Sequence, residues 1–200
     1  MMSVPFEEHP LLRCLGSVDA AIDDAAELDP AFLPTHDKAR ALRAVDRELA
    51  RLEGLRLRLL AASADVAADE GARSPGVWLA AESRAGSASG VRAQRLAEAL
   101  ERWPEVGRAL RGGQVNPAQA AVVADALDAL PSDLGADLAA KACAQLLADA
   151  GHFGPRELLV LGRRVLEVVA PEVAEHHEED LLLAQGAREP SHPVLVSTAR

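Results

Sequence analysis

The sequence predicts an all-α fold, a multi-helix bundle of about seven to nine helices. Three observations predict it. Ala, Leu, Arg and Glu dominate the 200 residues, whereas aromatic residues make up 2% and Tyr is absent; the first set favours helix and the missing set favours strand. Apolar residues recur at 3-4 spacing, the helical period. Pro, Gly, Ser and Asn fall between these runs where helices start and stop. A chain of this length can bury one good core, or two sub-bundles.

The elements follow in order. Residues 1–16 carry no clear period, and a short acidic helix is expected from Ser17 as N-cap through Leu28, with Asp19, Asp23, Asp24 and Glu27 on it. Pro30 and Pro34 break the chain. One long helix is expected from Thr35 to Glu70, with Asp37 suiting its positive end and Gly71 as its C-terminal glycine. Leu42, Val45, Leu49 and Leu52 form a 3-4-3 seam that Leu59 and Val66 continue; Arg56 and Ser63 interrupt it where a strict coiled coil would be apolar. Two readings fit this seam: a bundle helix packed on its neighbours, or self-association into a homo-oligomer through the Leu42–Val66 helix.

Ser74-Pro75 opens a short helix that carries Trp78 and ends at the turn Ser83-Arg84-Ala85-Gly86. A helix capped by Ser87 runs to about Arg102, with Ala93, Leu96, Leu100 and Trp103 sharing the face expected to be buried. Arg92, Arg95 and Arg102 share another face, a fan of about 80° at the helical step. Pro104 ends that helix, and a short helical turn follows over Glu105 to Arg111. Asn116-Pro117 caps a helix to Leu130 that is apolar nearly all round, and Pro131 stops it. Helices over 134–150, with Leu138, Leu146 and Leu147 inward, over 156–169, and over the acidic 172–185 complete the set. The expected organisation is an acidic N-terminal segment (1–34), a helical domain (35–185) and an irregular tail (186–200).

Net charge is −10, so any nucleic-acid surface must be local. Cys14 and Cys143 are too far apart and too few for a disulfide framework or a thiolate zinc site. The N-terminus lacks the basic and apolar regions of a signal peptide, and no apolar run is long enough to span a bilayer. The expectation is a reduced, soluble, cytoplasmic protein with no membrane partner.

Several motifs occur in a definite order: Gly71-x-x-Ser74 before Val77-Trp78-Leu79-Ala80, then Leu96-x-x-x-Leu100-x-x-x-Pro104, then Ala109-Leu110-x-x-Gly113. The Ala118–Leu130 helix with Pro131, Leu146-Leu147-x-x-Ala150 and Pro171…His176-His177-Glu178 follow. In this order they resemble the bacterial DUF222 family, also called the 13E12 repeat family, over about Leu42 to Leu183. The resemblance implies a helical region of unknown activity, often followed in relatives by an HNH nuclease module. The His, Asn and Cys-pair pattern of that module does not occur in this sequence. The tail GAREPSHPVLVSTAR departs from the family pattern and reads as that of a truncated or frameshifted product, which keeps open the alternative of an HNH endonuclease without its catalytic module.

The candidate chemistry is sparse. Six Arg (Arg84, Arg92, Arg95, Arg102, Arg108, Arg111) and three Glu between Arg84 and Arg111 form a basic island in an acidic chain. Arg on the second helix of a helix–turn–helix suits phosphate contacts, which makes DNA a candidate partner. The alternative is a solvated face in which Glu98 pairs with Arg102 and Arg95; the Ala81–Gly86 turn is one residue off helix–turn–helix spacing. A second turn, over Ala109–Leu127, has better spacing, but its following helix carries Asp125 and Asp128 and no Arg. Glu175-His176-His177-Glu178-Glu179-Asp180 is not a His-Glu-x-x-His motif, and adjacent His residues point about 100° apart, so it reads as a solvated acidic helix without a metal. Cys143 sits among apolar neighbours as a core residue. No nucleophile elbow or phosphate loop occurs. The reading is a non-catalytic binding module with no cofactor and no evident small-molecule substrate.

Overall fold

The computed structural model describes residues 9–131 and 134–169. Among these described residues are nine α-helices, one 3-10 turn and no strand, so the all-α prediction holds. The acidic helix expected over 172–185, its His176-His177 cluster and the 186–200 tail lie outside the described residues. Among the described residues no helix is long and apolar enough to cross a membrane. The chain divides into two compact units, one through Ala44 and one from Val45.

Unit 1 carries α1 (Pro10–Ala26), the 3-10 turn Pro30–Phe32 and the start of α2 (Thr35–Ala61). Helix α1 begins before the Ser17 start expected from sequence. Pro10 takes the first turn, and His9 Nδ1 accepts the Leu11 N–H at 3.2 Å, satisfying one free donor of the helix start. Ser17 therefore lies inside the helix, where its hydroxyl donates to the Arg13 carbonyl. The Asp29 carboxylate accepts the Ala31 N–H, and Lys38 Nζ donates to the Ala31 carbonyl. No described residue of unit 1 is buried.

Unit 2 holds the rest of α2, then α3 (Ala64–Asp69), α4 (Pro75–Glu82), α5 (Ser87–Arg102), α6 (Pro104–Arg111), α7 (Pro117–Asp128), α8 (Ala136–Ala150) and α9 (Pro155–Val169). The single helix expected over 35–70 is broken after Ala61. A continuing helix would give the Leu59 carbonyl to the Ser63 N–H. Instead the Ser63 hydroxyl takes that carbonyl at 2.7 Å, and the Ala62 and Ser63 amides bond three residues back. The side chain thus competes with the backbone and closes the helix.

The seam also differs from its packed reading: Leu42, Val45 and Leu49 are each more than half exposed. The buried face of α2 is Ala50, Gly54, Leu57 and Leu60. This face is chosen by close approach. A Cβ on Gly54 would lie 2.9 Å from Arg111 Cγ and 3.1 Å from its backbone nitrogen.

Helix α7 is the buried element. Ala120, Val123 and Ala124 are 0% exposed and Leu127 1%, and α5, α6, α8 and α9 all pack on it. Asn116 caps its start as predicted, and the structure adds a capping box: Asn116 Oδ1 accepts the Gln119 N–H, and Gln119 Oε1 accepts the Asn116 N–H, both at 2.9 Å. Buried Gln119 also donates Nε2 to the carbonyls of Ala150 (2.8 Å) and Phe153 (2.9 Å). Leu100, Val106, Leu110, Leu146 and Leu158 fill the core around it, with Ala93, Leu96 and Trp103 half-buried against them. Trp78 is only half-buried, and Leu138, expected inward, is exposed.

Helices α4 and α5 cross at glycines. A Cβ on Gly76 would strike the Gly90 carbonyl, and one on Gly90 would strike that of Gly76. The Gly76 N–H donates to Gln94 Oε1 at 3.1 Å across the same crossing, and Ser74 caps α4 as predicted. Gly90→Ala is therefore expected to lower stability by about 1–3 kcal/mol in urea unfolding, the usual range for overpacking. Gly16→Ala, where nothing lies within 4 Å of an added Cβ, is the control and should cost nothing.

Candidate functional site

Helices α2, α5 and α7 border a cleft of about 530 Å³. Four Arg line it: Arg56 from α2, and Arg92, Arg95 and Arg102 from α5. Four carboxylates line it as well: Glu53 from α2, Glu98 from α5, and Asp125 and Asp128 from α7. Ala93, Leu96, Ala99 and Ala121 supply its apolar lining. The formal charges of these groups cancel.

The pairing is specific. Arg56 makes a two-pronged contact with Glu53, Nε to Oε2 at 2.7 Å and Nη2 to Oε1 at 2.6 Å. Arg102 reaches across to α7 and bonds both oxygens of Asp128, with Nε to Oδ1 at 3.2 Å. Trp103 Nε1 donates to the same Oδ1 at 2.7 Å, which gives the half-buried indole its partner. Glu98 accepts from Gln94 at 2.8 Å. The expected Glu98–Arg102 pairing is thus replaced by a contact 26 residues away in sequence. The better geometry wins, because a carboxylate facing the guanidinium fork takes two bonds at once.

These contacts shift the carboxyl groups in opposite directions. Burial pushes the Asp128 carboxyl up, but the hydrogen bonds from Arg102 and Trp103 and the Arg102 charge outweigh it, leaving it below its ordinary value. Asp125 goes up, first through burial and then through the Asp128 charge, with the Arg95 charge only partly opposing. Arg92 makes no ion pair among the described residues.

The six Arg of the predicted island do not form one patch. Arg92, Arg95 and Arg102 line the cleft. Arg84 lies in the α4–α5 turn with φ of 55° and is exposed. Arg108 pairs with Glu105 on its own helix at 2.7 Å. Arg111 is half-buried against Gly54 and serves packing. Sequence reasoning missed Arg56 and Glu53 as members of the site. The available signal was Arg56 itself, which interrupts the apolar seam of α2.

The lining of this cleft holds no His or Cys, and Ser89 is its sole hydroxyl. Cys143 is buried elsewhere, and burial together with the Glu105 charge pushes its thiol up, with Arg108 partly opposing. That is the opposite of an activated thiolate.

Asp128→Asn gives a signed test. The folded-state value of Asp128 lies below its unfolded value, so its stabilisation is present above the unfolded carboxylate value, about 3.9, and is lost as pH falls through the folded one. Wild type should exceed the variant in stability by a steady margin at neutral pH. The margin should close on acidification, read by denaturant unfolding from neutral to strongly acidic pH. It should be small, because the Arg102 and Asp128 side chains remain 54% and 31% exposed.

A protein-family model, Domain of unknown function (DUF222), matches residues 36–182. The match covers more than half of the chain and begins at the start of α2, leaving α1 outside it. No curated protein and no solved structure matches the chain.

Proposed function

The chain belongs to the DUF222 family, and we propose that it works by contact: a non-catalytic helical module of the cytoplasm that takes a polypeptide segment of mixed charge in the α2–α5–α7 cleft. The observation that carries this reading is the charge balance of the cleft, where Arg56 pairs with Glu53, Arg102 pairs with Asp128, and Glu98 and Asp125 line the same surface. A phosphate backbone is drawn by uncompensated cations. A cleft with four Arg, four carboxylates and an apolar lining instead matches a peptide that presents both signs around an apolar residue. In relatives where an HNH module follows this region, the same contact would position a nuclease on a protein partner.

A second reading, DNA contact through α5, draws on one observation: Arg92 is exposed without an ion pair among the described residues, three positions from Arg95. One experiment separates the two. Anisotropy of a labelled duplex at low salt should show no binding to wild type. Asp125→Asn with Asp128→Asn should create weak, salt-sensitive binding by uncovering Arg95 and Arg102. Peptide-display selection on wild type should enrich mixed-charge sequences, with affinity falling at least about tenfold when Arg92 and Arg95 become Glu, the order expected for loss of a charged contact. Duplex binding by wild type that disappears in Arg92→Ala with Arg95→Ala would reverse the choice.

A further inference from the structure

We propose that the cleft selects its partner through three unpaired groups, Arg92 and Arg95 on α5 and Asp125 on α7, so that the partner segment sets an acidic side chain against α5 and a basic side chain against α7. This deepens the peptide reading of the cleft and rests on it.

The charges that line the cleft fall into two groups. Arg56 closes on Glu53, and Arg102 closes on Asp128, whose Oδ1 also accepts the Trp103 indole N–H. Glu98 accepts the Gln94 amide. These side chains are bound within the fold. Arg92, Arg95 and Asp125 line the same cleft, are exposed, and make no ion pair among the described residues. The first group shapes the cleft, and the second has charge to offer a partner.

Helix geometry explains why these groups stay open. Arg95 and Arg102 are seven residues apart on α5, about 10 Å along the axis, whereas Asp125 and Asp128 are three apart on α7, about 4.5 Å. Once Arg102 closes on Asp128, the unequal spacings leave Arg95 and Asp125 out of register. Arg95 is still near enough for its charge to act on Asp125. Burial pushes the Asp125 carboxyl up and the Arg95 charge opposes this only in part, which is the behaviour of a carboxylate without a close cation.

Charge complementarity identifies the occupant. Arg92 and Arg95 stand one helical turn apart, so both can serve one carboxylate. A basic side chain would give Asp125 the close cation it lacks. Leu96 and Ala93 on α5 and Ala121 on α7 supply apolar contact in the same cleft. A segment with acidic groups alone leaves Asp125 facing like charge, and one with basic groups alone leaves Arg92 and Arg95 facing like charge. The cleft therefore works against both single-sign segments as well as for the two-sign one.

The test uses the full chain and short labelled peptides of Gly and Leu that carry Glu, Lys, both, or neither, read by fluorescence anisotropy at low salt. Wild type should bind the two-sign peptide at least about tenfold tighter than the others. Asp125→Asn should erase its advantage over the Glu peptide, and Asp125→Arg should make the Glu peptide the tightest. Arg92→Asp with Arg95→Asp should make the Lys peptide the tightest. All three positions are exposed, so far-UV circular dichroism should match wild type. Arg84→Asn, which removes an exposed cation outside the cleft, should leave the order of the peptides as in wild type. A two-sign preference that survives both Asp125 variants, or a wild type that prefers a single-sign peptide, would overturn the inference and leave the peptide reading standing. Wild type that binds none of the peptides, or all of them equally, would overturn both.

Discussion

The burial of α7 is the constraint on which the rest of unit 2 depends. Its inner face is small and β-branched, with Ala120, Val123 and Ala124 wholly buried, so neighbouring helices can come close on several sides. One such approach is visible from α9, where a Cβ on Gly162 would lie 2.8 Å from Ala126 Cβ. A helix this buried must have its end groups satisfied without water. Gln119 closes the capping box with Asn116 at the start of α7, and its Nε2 also satisfies two carbonyls at the α8–α9 connection. A buried amide with its bonds made fixes register as well as adding stability.

The same helix decides the electrostatics. The face of α7 that does not enter the core carries Asp125 and Asp128, and its packing on α5 brings these carboxylates to the arginines of the basic island. The island is positive as a stretch of sequence, but its arginines disperse, and in the cleft Arg102 is paired by a carboxylate from another helix. The formal charges that line the cleft therefore cancel across three helices.

The sequence disclosed what local chemistry controls. Ser74-Pro75 and Asn116-Pro117 cap their helices as read, because capping acts within four residues. The burial of Leu100 and Cys143 followed from helical spacing and apolar neighbours. Three features were hidden for physical reasons. The break at Ala62-Ser63 has no Pro or Gly to mark it and depends on a hydroxyl taking one carbonyl. The start of α1 relies on His9, whose imidazole is not an ordinary N-cap. The face that α2 buries is set by the backbone of α6 against Gly54, and spacing alone favoured the more apolar stripe. At the cleft, the α5 arginines were legible as a helical fan. The partner of Arg102 was not, because Asp128 is brought near only by tertiary packing.

Residue-resolved native-state hydrogen exchange tests the central role of α7 most directly. The account predicts that the amides of Val123, Ala124 and Leu127 exchange only through global unfolding and are the slowest in the chain. It also predicts that Gln119→Ala lowers their protection together with that of the α8–α9 connection. Exchange of these amides by local opening, faster than those of α5 or α9, would contradict it.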